Sequence, residues 1–476
     1  MASTADDVGQ AAAPTYPLRF RSAEARGARI GRPLRLFGRV RGVDEALMDR
    51  IGRAFFEADD AGAALAAAMR LPAGTPGRVS HVQLREALAH AVAGSEDPRL
   101  PSRDEIGPLP RSVSEIGPLP RSVSEIGPLP RDRSINRPIS RQRTDLGAGS
   151  VQGTDLGAGT PEALRLFLDE VTVVPGWVDW DLVDEGAAVL RRLGQNAGDV
   201  LLQLSLVGGY RFGGPADLLA ATGALTGGTM RRLAETQEWT VGLSEPGALR
   251  PYGPAWRATV HVRAMHALVG ASLGDWDAAR WGVPINQADQ AATLGLFDAT
   301  LILGCRALGA RIPPSDSRAL MHLWKWVGHL MGVHPDFLVD DEWARYRINY
   351  HVLLAQAGIS DAGPRLARAV VAAQADRTYP GPSWWRPWRA RFERERLLSM
   401  LTAFLGVRSM RELGLPLRPP WAHAYLLPLN AWRYHLLGWS RWGRERLDRW
   451  GRRRSEAILA SYGSSDVSDA QVTGVT

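Results

Sequence analysis

The side chains best suited to chemistry lie between Thr229 and Leu273. In the stretch Trp256-Arg-Ala-Thr-Val-His261-Val-Arg263-Ala-Met-His266-Ala-Leu-Val269, helical spacing puts Thr259, Val262, His266, Val269 and Leu273 on one face. Arg263 falls one turn before His266. The face is otherwise small and apolar and offers the imidazole no obvious partner. About thirty residues upstream, Arg231-Arg232-Leu-Ala-Glu235-Thr236 reads as a second helix, with Arg232 and Thr236 one turn apart and Glu235 beside them. The link between them, through Ser244–Gly247 and Pro251–Pro254, is rich in turn residues, so the two helices can fold back and enclose a pocket. One wall would be polar and the other would carry a single imidazole. That layout suits a haem, which needs an axial nitrogen on one side and a few polar groups on the other. A lone histidine on an apolar face is more commonly a hydrogen-bonded core residue, and spacing does not separate the two readings.

The elements that must position these residues follow from pattern and punctuation. Pro161 opens a helix to about Glu170, and a strongly amphipathic helix covers Asp181–Leu193. The apolar run Asp199–Val207 has strand propensity but sits among helices, so a buried helix is expected. The glycine pairs Gly208-Gly209 and Gly213-Gly214 lack the lysine and hydroxyl residue of a phosphate loop and suit close backbone approach instead. Beyond the break at Trp281-Gly-Val-Pro284, a helix is expected over Asn286–Leu303, facing the same pocket through Gln287 and Thr293. Helices over Asp316–Met331 and Asp340–Ala357 follow. His322 and His329 lie seven apart without a zinc-binding pattern and read as core or rim residues.

Arg232-x-x-Glu235-Thr236 followed by Arg263-x-x-His266-Ala resembles the MpaB-type oxygenases, a family that includes the rubber oxygenases or latex clearing proteins. Further matching segments are Gly282-Val-Pro284-Ile-Asn286-Gln287-Ala-Asp289 and Trp324-Lys-Trp326-Val-Gly328-His-Leu-Met-Gly332-Val333. The similarity is best from Trp177 to Ala373 and weaker over Tyr16–Met69. The resemblance implies an all-helical fold and non-covalently bound haem b. It implies His266 as the axial iron ligand, with Arg232, Arg263 and Thr236 near the cofactor and Glu235, Thr236 and Arg232 as catalytic candidates. Rubber oxygenases carry a lysine where this chain has Glu235, and many relatives have a basic residue where Gly270 stands.

The expected fold is therefore all-α, with five parts. A disordered tail (1–15) precedes an N-terminal helical extension (16–97) with helices over Val43–Phe56, Ala61–Met69 and Ser80–Ala93. A disordered Pro/Gly repeat linker (98–160) leads to one large helical haem domain (161–460), and a second tail (461–476) closes the chain. The linker is set by the decapeptide Glu-Ile-Gly-Pro-Leu-Pro-Arg-Ser-Val-Ser, which begins at Glu105, Glu115 and Glu125, and by Thr-Asp-Leu-Gly-Ala-Gly at Thr144 and Thr154. Paired prolines exclude helix there, and the period is too short for a folded repeat.

Composition narrows the classes further. Hydrophobic residues at 45% permit a large core. One cysteine, Cys305, excludes a disulfide framework and multi-cysteine metal sites within the chain. The N-terminus lacks the basic and apolar regions of a secretory signal, and no run approaches a membrane span, so a cytoplasmic protein is expected. The charge of +7 is carried almost wholly by arginine, and no nucleic-acid partner is expected from it. The C-terminal hundred residues interleave Trp with Arg. The first expectation there is a pair of long helices burying indole rings, and the second is peripheral membrane contact. The chemistry expected is oxidation of a small hydrophobic substrate with dioxygen. A non-catalytic haem-binding or gas-sensing protein, or a cofactor-free helical interaction protein, stands as the alternative.

Overall fold

The computed structural model describes residues 15–89, 160–223, 229–379 and 382–462. The decapeptide and hexapeptide repeats lie outside these residues. Every regular element within them is helical. In chain order the helices of the N-terminal part are α1 (Glu24–Ile30), α2 (Arg32–Phe37), α3 (Glu45–Ala54), α4 (Asp60–Met69) and α5 (His81–Ala89). Then come α6 (Glu162–Thr172), α7 (Trp180–Leu193), α8 (Gln195–Val200), a π-helix (Leu201–Val207), α9 (Gly213–Ala221), α10 (Thr229–Leu243) and α11 (Pro254–Ser272). The rest are α12 (Ala278–Trp281), α13 (Gln287–Phe297), α14 (Ala299–Ala307), α15 (Pro314–Leu330), α16 (Glu342–Ala355), α17 (Ala362–Ala373), α18 (Arg386–Glu412), α19 (Trp421–Asn430) with a π-helical continuation (Ala431–Leu436), and α20 (Arg441–Ser461).

Local signals explain most boundaries. Asp44, Asp59, Asp179, Asn286 and Asp341 each accept a backbone N–H at the start of the following helix, which satisfies donors that have no partner inside the first turn. Ser80 and Gln83 form a reciprocal capping box: the Ser80 backbone donates to Gln83 Oε1 at 2.8 Å and the Gln83 backbone donates to Ser80 Oγ at 3.1 Å. Pro254 and Pro314 stand in the first turn of α11 and α15, where a missing N–H costs nothing.

Two expectations are corrected. The helix expected over Asn286–Leu303 is broken at Asp298 (φ −96°, ψ −98°) into α13 and α14. Asp298 caps α14 through Ala299 N and accepts from the buried Arg345 Nε at 2.6 Å, so a side chain has taken over one helix turn. The N-terminal part also contains α1 and α2, which the apolar spacing did not mark. The run after Asp199 is helical as expected, but it is wound as a π-helix from Leu201 onward.

The core centres on α15 lying against α7. Gly186 makes that approach possible, because a Cβ there would stand 2.4 Å from the Ala319 carbonyl oxygen. Trp324 and Trp326 on α15 are buried. Trp326 donates to the Leu249 carbonyl at 2.9 Å, and Trp177, Trp180 and His329 pack around it. His322 accepts from the Asp179 backbone at 2.8 Å, so both histidines of α15 belong to this core. The N-terminal helices dock on the body through buried ion pairs, Arg19–Asp289 at 2.6 Å and Arg263–Asp59 at 2.7 Å. No helix among the described residues is long and apolar enough to cross a membrane.

Candidate functional site

α11 carries the candidate ligand and is buried for most of its length. Ala255 to His261, Arg263, Ala264 and Leu268 are enclosed, with Val262 partly exposed. A strip made by Val262, Met265, His266, Val269 and Gly270 is only partly buried. These positions share one helical face. At Gly270 an added Cβ would meet nothing nearer than the Pro284 carbonyl oxygen at 3.6 Å. A helix held in the core on one side and left partly open on the other is the form of a cavity wall.

His266 sits in the middle of that strip. Its Nδ1 is buried without a hydrogen-bond partner. Burial lowers its pKa to about 4, against a smaller opposing pull from Asp59. At neutral pH the imidazole is therefore uncharged with its lone pair free, the state a metal needs. His261, the other candidate on this helix, faces elsewhere. Both of its ring nitrogens are buried without partners, and its pKa is lowered to about 4 by burial and by His81 and Arg85 of the α5 region.

Arg263 is fixed. Its Nε and Nη2 reach the two oxygens of Asp59 at 2.7 Å each, and Nη2 also donates to Glu170 at 2.8 Å. Burial alone would lower its pKa, but these carboxylates carry it above the ordinary value. Asp59 also caps α4 through Gly62 N at 3.2 Å. Sequence reading missed Asp59. The signal was present as Asp59-Asp60 before the alanine-rich run of α4, which marks a cap, but nothing local points it at Arg263.

The helix expected to face His266 is α10. Trp239 donates from Nε1 to Thr259 Oγ1 at 3.0 Å and so ties α10 to α11. Glu235 lies one turn from Trp239 and His266 two turns from Thr259, both on the side away from the connecting loop. Arg232 and Thr236 are exposed and Glu235 is half-buried. Thr236 Oγ1 donates to the Arg232 carbonyl at 2.9 Å. Burial raises the Glu235 pKa, and Arg231 and Arg232 oppose the rise. The ion-pair partner of Glu235 is Arg231, at 3.7 Å, rather than Arg232. Among the described residues no hydrogen bond or ion pair joins Arg232, Glu235 or Thr236 to His266 or Arg263.

On α13, Thr293 is exposed while its neighbours Ala291 and Leu294 are buried, which agrees with a position on an open strip. Gln287 is instead turned into the protein, where it donates to the Ala58 and Gly332 carbonyls and accepts from His334 N. The second glycine pair serves protein packing. A Cβ on Gly213 would stand 2.8 Å from Trp281, and one on Gly214 would run into the Arg19 guanidinium.

Residues 191–442 match the family described as ER-bound oxygenase mpaB/B′/rubber oxygenase, catalytic domain. The chain belongs to this oxygenase family. The matched segment of the MpaB/rubber oxygenase domain contains α10, α11 and α13 and extends well past Ala373, where the motif resemblance fades. Asp59 and Glu170, which hold Arg263, lie outside it. The rubber oxygenase of Streptomyces sp. (strain K30) is 26% identical over 190 residues, covering 37% of this chain and 45% of that protein. The chain thus spans less than half the length of this curated relative. A latex clearing protein solved in the closed state aligns with a TM-score of 0.48 at 20% identity, over 63% of this chain and 81% of that one.

The residues present fit a haem better than a metal held by side chains. Among the described residues, no group of three or more His, Cys, Asp or Glu is placed to hold a metal ion. A porphyrin supplies four nitrogens and asks the protein for one. The neutral His266, on a partly open apolar strip, can provide it.

Proposed function

We propose that the chain is a haem b-dependent oxygenase in which His266 holds the iron, acting with dioxygen on a small hydrophobic substrate. The observation that carries this reading is the uncharged imidazole of His266, its Nδ1 buried without a partner, on the partly open strip of a buried helix. The catalytic body is proposed to span 161–460, with the N-terminal extension of 16–97 contributing Asp59 as a brace.

Haem b supplies a redox-active iron that reacts with dioxygen. The protein's own residues do the rest. His266 would hold the iron through its imidazole, and the Arg263–Asp59–Glu170 cluster fixes the turn before it. Val262, Met265 and Val269 line an apolar wall that excludes water and favours a hydrophobic substrate. Arg232, exposed on α10, would offer a guanidinium to a carboxylate of the cofactor. Glu235 is the acid–base candidate, because its raised pKa lets one carboxyl both accept and return a proton. Thr236 spends its hydroxyl hydrogen on Arg232 O, so toward the cavity it acts as an acceptor.

Absorption spectroscopy of the purified protein, followed by oxygen uptake with an unsaturated hydrocarbon, tests the proposal. A Soret band together with substrate-dependent uptake is expected. A Soret band without uptake for any hydrophobic substrate would favour a haem-binding or gas-sensing role. Colourless protein that takes up no added haem would overturn the cofactor assignment.

A further inference from the structure

The C-terminal helices were expected to bury their tryptophans, yet Trp384, Trp385, Trp388, Trp432, Trp439 and Trp442 are exposed and only Trp421 and Trp450 are partly buried. Twelve of the 20 exposed large hydrophobic side chains among the described residues fall between Trp384 and Trp442, so the exposure belongs to one region rather than to the surface at large. Trp439 is 78% exposed, Trp384 70% and Trp388 64%. Scattered single apolar residues on a surface need no explanation, but a contiguous set does.

Much of the set lines up along α18 and α19. Trp384 and Trp385 meet edge-on with centroids 5.8 Å apart at the start of α18. Trp388 and Phe392 follow at one-turn intervals along that helix. Phe392 lies 5.5 Å from Trp421 of α19, and Trp421 stacks on Tyr425 at 6.1 Å. α18 and α19 are tied behind this ridge by Arg396 to Tyr425 at 2.9 Å and by Ser399 to the Pro419 carbonyl at 2.7 Å. Beyond α19, Trp432, Leu436, Trp439 and Trp442 are exposed around the turn into α20.

Charge follows the same boundary. From Trp384 to Glu456 the sequence holds 16 arginines, no lysine and six acidic residues, a net +10. With the whole chain at +7, the remaining residues together carry −3. The basic character of the protein is therefore confined to the region that exposes its indoles. Arg446 lies over the Trp442 ring at 4.7 Å and Arg389 over Phe392 at 5.5 Å.

From the aromatic ridge and its arginines we infer a docking face for an anionic lipid surface. Indole rings settle at the boundary between headgroups and acyl chains, where one edge is apolar and the other wet. Arginine stems lie along apolar surface while their guanidinium groups pair with phosphate, and each basic group near an anionic leaflet adds to the attraction. No helix among the described residues can cross a bilayer, so the face lies on the surface. A nucleic acid would also attract arginine, but Trp384 with Trp385, and Phe392, Trp421 and Tyr425, pack on one another rather than standing apart as platforms between bases. The inference does not depend on the cofactor.

Vesicle sedimentation with the full chain tests it. Binding to phosphatidylcholine vesicles containing phosphatidylglycerol is expected to exceed binding to pure phosphatidylcholine by about ten-fold or more, and to weaken as salt rises. Two triple variants, W384A/W385A/W388A and W432A/W439A/W442A, each checked for unchanged helicity, are each expected to lower that binding by about ten-fold. Equal binding to both vesicle types, or unchanged binding by either triple variant, overturns the single lipid face. Duplex DNA that binds where anionic vesicles do not would also overturn it. So would concentration-dependent self-association that the tryptophan variants abolish.

Discussion

The two walls of the candidate site are built differently. α11 is buried along its back, and the residue one turn before His266 is clamped by two carboxylates at 2.7–2.8 Å. α10 presents Arg232 and Thr236 to solvent, and its Glu235 has one distant ion-pair partner in the next turn. The helix carrying His266 thus draws its position from the whole core, including a helix more than two hundred residues away in sequence. The facing helix is held by the Trp239–Thr259 bond and by packing against α17 and α20, with Leu233, Thr240 and Leu243 buried. A metal ligand must be held to within a fraction of an ångström, whereas a wall that admits substrate gains from having less packing to disturb. The departure from the lysine of rubber oxygenases, at Glu235, falls on the lightly held wall.

This contrast predicts unequal costs. Asp59→Ala should have the largest effect, because it leaves the buried Arg263 with only the half-exposed Glu170 as partner. A loss of roughly 3–5 kcal/mol in denaturant unfolding is expected for one partner removed from a buried pair, and a loss under about 1 kcal/mol would show that the brace is not what fixes α11. Glu170→Gln removes the exposed arm of the same cluster and should cost no more than about 1 kcal/mol.

Acid should act on the same wall. His261 and His266 both have pKa values lowered to about 4 by burial. Their unfolded values lie near 6.5, so below that pH the unfolded chain binds protons that the native state refuses. The corresponding stability is complete above about pH 6.5 and is lost as pH falls through 4. Melting temperature measured from pH 7 to pH 4 should drop less steeply in His261→Gln, which cannot titrate. Equal slopes would contradict the burial assigned to this residue.

The smallest effect is expected on the lightly held wall. Glu235→Gln should leave haem content and stability near wild type, since its ion pair is long and partly exposed. It should shift the visible bands or the rate of oxygen uptake. No change in either would return Glu235 to the role of a solvated helix residue.

Much of this arrangement was legible in the sequence. Caps, prolines and apolar spacing located α3, α4, α5, α6, α7, α10, α11, α15 and α16 to within a few residues, because those signals act within one or two turns. The Ser80–Gln83 box is read directly from residue type, whereas Pro254, read as part of the turn-rich link, opens α11. What failed was long-range. Asp298 breaks a helix because Arg345 on another element claims its carboxylate, and no local pattern encodes that. Asp59 and Gln287 took their partners across the fold for the same reason. The tryptophans after Trp384 were expected inside because indoles usually are, yet the number of rings in a segment does not say how much protein is available to cover them.

The proposed cofactor site stands or falls with His266. The direct test is haem content, by Soret absorbance and pyridine haemochrome, of wild type, His266→Ala and His261→Ala after identical haem reconstitution. Wild type and His261→Ala should hold haem at similar stoichiometry, while His266→Ala should lose most of it with helical content largely intact. Wild-type haem in His266→Ala, with loss in His261→Ala, would contradict the assignment of the site.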